Sequence, residues 1–177
     1  MRFVLFILPL FIVACSAGTD SFTSEKEFED FLNDPDNGHI VSVETNDMIV
    51  EGKLTPPIKG DKEPQISVQV RINRQDGGAV LDFGGATKSE VLEKEGYLSF
   101  ELMGDVYLEN SGQIIPCSFH HYERNYGLKP SVDMFFHFKA FQPTEDVIFV
   151  YRDQLFNQGL IRLKFDKDLF KVCHVQQ

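Results

Sequence analysis

Ile66-Ser67-Val68-Gln69-Val70-Arg71-Ile72-Asn73 is the stretch that decides the fold. Its apolar members (Ile66, Val68, Val70, Ile72) alternate strictly with polar ones (Ser67, Gln69, Arg71, Asn73). Successive side chains of a strand point to opposite faces, so this period of two describes a half-buried antiparallel strand. The same pattern recurs twice. Val132, Met134, Phe136 and Phe138 alternate with Asp133, Phe135, His137 and Lys139; Ile161, Leu163 and Phe165 alternate with Arg162 and Lys164. Working outward, runs of β-favouring residues predict further strands at 39–44, 47–54, 79–83, 97–103, 105–109, 113–119 and 147–151.

Turn-forming clusters separate these runs: Pro56-Pro57, Gly60-Asp61, Asp76-Gly77-Gly78, Gly84-Gly85, Asn110-Ser111-Gly112 and Asn125-Tyr126-Gly127. Val106–Leu108, the Asn110-Ser111-Gly112 turn and Gln113–Ile115 form the clearest hairpin. Before the strands, Ser24 followed by Glu27 reads as a capping box, with Phe28, Phe31 and Leu32 on one face of a short helix over 24–33. Asn33-Asp34-Pro35 would end it. Residues 84–96 admit either a short helix from Lys88 to Lys94 or an exposed loop. With no repeat and no second boundary, residues 23–177 read as one domain. It is mainly β, an antiparallel β-sandwich with a short N-terminal helix; a partly closed barrel is the alternative.

The chain has 177 residues, enough to bury a core unaided. Hydrophobic residues make up 42% and charged ones 25%, which argues against wholesale disorder. Seventeen Phe and no Trp add to the β character. Formal net charge is -10. That balance repels a phosphate backbone, and no basic stripe reverses it locally, so nucleic acid is not an expected partner. It also disfavours lying flat on anionic lipid.

Met1-Arg2 precedes an apolar run from Phe3 to Val13, too short to span a bilayer and of the length of a signal-peptide core. It ends in Ile12-Val13-Ala14-Cys15. This resembles the lipobox of bacterial lipoproteins, with Ile12 where the pattern usually has Leu. The resemblance implies cleavage after residue 14 and a diacylglyceryl thioether on Cys15, followed by a small polar tether over 15–22. Several acyl chains give stable anchoring where one is marginal. Ser16 in place of Asp implies, by the same resemblance, the outer membrane, with the domain facing the periplasm. The lipobox, the acidic β domain and the stretch from Pro116 to Pro130 together resemble small lipoproteins of the Bacteroidota, a likeness that implies no activity.

With Cys15 lipidated, Cys117 and Cys173 remain. An oxidising compartment and an even remainder fit one disulfide. Closing a loop of about 57 residues, it would stabilise by about 3–4 kcal/mol in the chain-entropy model. Two buried free thiols are the alternative.

The densest polar and aromatic segment is His120-His121-Tyr122-Glu123-Arg124-Asn125-Tyr126-Gly127. On a strand running into a loop, Tyr122, Arg124 and Tyr126 are the expected binding residues, since polar aromatics and arginine are good contact groups. Tyr122 and Tyr126 packed at a sheet corner are the alternative. His121 and Glu123 share a face of an extended chain and, with His120, are the candidate metal ligands, but no third ligand follows from spacing. His39, His137 and His174 lie far away in sequence. The glycine-rich stretches are turns without phosphate-loop spacing, and no serine sits in a nucleophile elbow. No catalytic residue and no cofactor follow. The expected function is a non-catalytic, membrane-anchored binding or assembly module contacting another envelope protein. A sugar- or lipid-binding lipoprotein and a metal-dependent hydrolase built on 120–123 are the alternatives.

Overall fold

The computed structural model describes residues 21–176, so the expected leader, Cys15 and the expected tether up to residue 20 lie outside the described residues. From the N-terminal side the elements are β1 (Ser21–Phe22), α1 (Glu25–Asn33), β2 (Ile40–Glu44), β3 (Met48–Thr55) and β4 (Gln65–Arg74). Then follow α2 (Lys88–Phe100), β5 (Val106–Asn110), β6 (Gln113–Pro116), β7 (Phe119–Glu123) and β8 (Val132–Lys139). β9 (Val147–Arg152), β10 (Leu160–Phe165) and β11 (His174–Val175) complete the chain.

The architecture is mainly β. One antiparallel sheet has the order β2-β3-β4-β8-β7 and a second β10-β9-β5-β6. The alternating stretch forms β4, at the centre of the larger sheet, where Ile66, Val68, Val70 and Ile72 are wholly buried. β8 pairs with it so that Val68 faces Phe136 and Ile66 faces Phe138. These phenylalanines meet the other sheet at Phe149, with ring centroids 5.4 and 6.3 Å apart. Apolar side chains from the two inner faces thus form a common core, as a sandwich requires. β10 runs beside β2 at one edge, and β6 leads into β7 at the other. Among the described residues no ladder joins the sheets at either edge, so the barrel alternative is not realised.

The β5–β6 hairpin forms as expected, with Ser111 and Gly112 both at positive φ (49° and 76°), the backbone that a tight two-residue turn demands. α1 also forms, and Ser24 Oγ accepts from Glu27 N at 3.2 Å. The return bond differs: the Glu27 carboxylate accepts from Thr23 N and Oγ1, one residue earlier than a capping box places it.

Several expectations are corrected. Residues 97–103 are not a strand, because Thr87 and Glu90 cap each other and start a helix that runs to Phe100. A helix thus occupies the stretch left open between helix and loop, and continues beyond it. Residues 79–83 form turns. Val80 is fully buried there, and its amide donates to Pro130 O. The run 113–119 splits, because the chain leaves one sheet at Pro116 and enters the other at Phe119. Ser21 and Phe22, expected at the end of the tether, pair in parallel with His174 and Val175.

The expected disulfide is likewise corrected. Cys117 and Cys173 are both buried and are not bonded to each other. They sit in separate apolar clusters: Cys117 in the main core, Cys173 in a satellite with Phe22, Phe28 and Leu32. The Cys117 thiol donates to Phe119 O at 3.1 Å, and that of Cys173 to Lys171 O at 3.7 Å.

Candidate functional site

Among the described residues β7 is an edge strand, paired with β8 alone. Its sequence, Phe-His-His-Tyr-Glu, has no hydropathy alternation, so which side faces inward is set by pairing rather than by polarity. Tyr122 stands opposite Met134 and His120 opposite Phe136, both inner-face partners. Phe119, His121 and Glu123 therefore lie on the outer face.

The consequence for Tyr122 is a correction. It is only 5% exposed and belongs to the core rather than to an open contact surface. Its hydroxyl is buried without a hydrogen-bond partner. Burial, with the Glu95 carboxylate nearby, pushes its pKa up to about 12. His120 is half-buried on the same side, and its Nε2–H donates to Leu98 O near the end of α2 at 3.1 Å. The ring also stacks on Phe136 at 6.3 Å. His121 and Glu123 share the outer face as expected, with His121 6.4 Å from the Phe135 ring and Glu123 paired with Lys129 at 3.7 Å. The three candidate ligands thus point to two sides of the strand. Among the described residues no group of three or more His, Cys, Asp or Glu side chains is arranged to hold a metal ion. His137, far away in sequence, comes onto the same outer face 5.6 Å from Phe119.

An open cleft of about 460 Å³ lies between the end of α2 and β7. Residues 120–124 line it together with Ser99, Phe100 and Tyr126. Arg124 sits 3.9 Å from Glu95 of α2. Tyr126 is 82% exposed and Phe100 80%. Tyr126 has φ of 50°, sparsely populated for an aromatic residue. The surrounding turn holds it there: Asn125 Nδ2 donates to Ser131 O, Asn125 Oδ1 accepts from Gly127 N, and Asn125 O accepts from Leu128 N. Phe100 and Glu95 are absent as site residues from the sequence reading, because 97–103 reads as a strand and 84–96 is open between helix and loop. The Thr87/Glu90 capping box was the signal that could have found them.

A larger hollow, about 620 Å³, lies under α1 over Phe28, Leu32, Ile58 and Val175. Its rim mixes Lys53 and Lys59 with Glu25, Glu29 and Asp61, a pattern of no single ligand class. The β7 cleft is the better candidate because two large aromatic side chains stand in water at its mouth, against the usual tendency to bury them. Its groups can supply apolar contact, a planar cation and a strand edge. No protein-family model matches the chain, and no curated protein or solved structure matches it.

Proposed function

We propose that this chain is a non-catalytic binding module of the bacterial cell envelope, tethered by lipid on Cys15 and contacting a protein partner through the cleft between α2 and β7. The leader ending Ile12-Val13-Ala14-Cys15 supports the address. The observation that carries the binding role is Tyr126, almost fully exposed, lining the same cleft as the exposed Phe100 and held at positive φ by a hydrogen-bonded turn. A rigid exposed aromatic costs little entropy to dock, and arginine with aromatics dominates contact energies at interfaces. The strain at Tyr126 has no packing benefit within the chain, since the ring touches mostly water.

The test is a photo-crosslinking residue at 126 in the native host, with a control at Arg162 on the other sheet. One dominant adduct at 126, absent at 162 and lost in Phe100→Ala, supports the reading. Equal labelling at both positions overturns the binding role. Mass spectrometry of the N-terminal peptide tests the address: an unmodified Cys15 or a retained leader overturns it.

A further inference from the structure

Residues 120 to 124 line the cleft consecutively, although neighbours along a strand point to opposite faces. A cleft over one face would meet every second residue. This one meets all five, so it runs along the edge of β7 and borders backbone that β8 does not pair. We infer that the cleft takes an extended peptide segment of the partner as an added strand on the edge of β7, with apolar side chains against Phe100 and Tyr126 and a basic residue beside them. This rests on the binding-module reading and names the form of its ligand.

An open strand edge presents a row of backbone donors and acceptors that only another extended backbone satisfies in register. Proteins commonly blunt such edges with lysine, proline or a covering loop. β7 carries no lysine or proline. Among the described residues the end of α2, through the His120–Leu98 bond, and the short helical turn over 102–105 that follows it are what packs against β7 from that side. Phe100 and Tyr126 then flank the remaining edge and offer apolar surface to alternate side chains of the incoming strand.

The charge of the surroundings selects the partner. Arg124 and Lys129 are already matched by Glu95 and Glu123. Lys94 of α2 is directed away, donating to Leu81 O and Phe83 O at 2.9 and 3.0 Å. Among the described residues no ion pair forms at two exposed acids near the helix end, Glu101 directly after Phe100 and Glu93 a little earlier. The same balance argues against a second copy of this chain, since two molecules of formal charge -10 would have to meet edge to edge.

The probe is a synthetic capped hexapeptide in which valine alternates with lysine, added to the full-length chain in detergent. Titration is followed by backbone hydrogen exchange at residues 119–124. The expected result is protection confined to those amides, with dissociation constants raised at least fivefold in Phe100→Ala and in Tyr126→Ala. Two further peptides, N-methylated at the valines or at the lysines, keep every side chain but each lose one edge of donors. One of them is expected to bind at least tenfold more weakly, and the difference to persist in 0.5 M salt. Equal binding by all three peptides, no protection of β7, or no binding by the parent peptide at 1 mM overturns the inference. So does a dimer of the protein alone with β7 amides already protected. A partner adduct at 126 without N-methyl discrimination removes the strand-addition mode and leaves the binding-module reading intact.

Discussion

Gly52 lies in β3 against Leu163 and Phe165 of β10, and replacing it with alanine tests whether the sandwich is packed as described. Gly52 has ordinary extended backbone, so Gly52→Ala by itself would stabilise, by about 0.4–1 kcal/mol, through the lost freedom of the unfolded chain. Space opposes this. A Cβ at this position would stand 2.5 Å from Leu163 Cδ1 and 3.3 Å from Phe165 Cζ, where carbon atoms prefer about 3.5–4.0 Å. Leu163 and Phe165 are themselves buried, so neither can swing into solvent. Overpacking of this kind costs about 1–3 kcal/mol and outweighs the entropic gain. The net loss is therefore about 1–2 kcal/mol, or about 2–8 °C in Tm for a domain of this size. Urea unfolding of Gly52→Ala, Leu163→Ala and the double variant measures it. The double variant should lose less than the two single changes together, because removing Leu163 Cδ1 clears the clash. Gly52→Ala at or above the parent stability would refute the placement of β10 against β3.

Three further outcomes follow. Tyr122→Phe removes a buried hydroxyl that has no partner, so unfolding stability should stay unchanged or rise by up to about 1 kcal/mol; a loss above that would show a hydrogen bond on that oxygen. Burial holds the His137 imidazole below its ordinary pKa of 6.5, because desolvation penalises the cation. The unfolded chain then binds more protons than the folded one, so this contribution is present above about pH 6.5 and is lost as pH falls through the folded value. A proton NMR titration should give a midpoint below 6.5, and His137→Gln should flatten that part of the stability profile; a midpoint above 6.5 reverses the sign. Finally, a full chain carrying lipid on Cys15 should yield two titratable thiols in denaturant without reductant, and almost none when folded. Burial raises the Cys117 pKa and so slows its reaction further. No thiol in denaturant would restore the bridge.

The strands with strict alternation were legible because one face of each is buried and the period leaves no other register. β4, β8 and β10 follow directly from their side chains. Where polarity does not alternate, the reading fails for a definite reason. In β7 a histidine and a tyrosine go inward while a phenylalanine stays outside, and only the pairing of Tyr122 with Met134 decides this. The aromatic run Tyr97-Leu98-Ser99-Phe100 looks like a strand locally, but a reciprocal cap ten residues upstream commits it to a helix. The cleft inherits both difficulties: Arg124 and Tyr126 could be named from sequence, whereas Phe100 and Glu95 could not. The approach of His137 to Phe119 is a tertiary effect, absent from any local window.

The pairing of β1 with β11 has a mechanical side. A chain held by its N-terminus takes any pull first on that two-residue ladder, and then on α1 with its small satellite cluster. Neither belongs to the main core, so both can give way while the sandwich stays shut. Releasing the segment ahead of Ile40 would pay out about 60 Å of extended chain at roughly 3.4 Å per residue. In a chain anchored ahead of residue 21, the corner where it enters the domain would therefore be the weak link, lengthening under load before the cleft at the far edge of the sheet is disturbed.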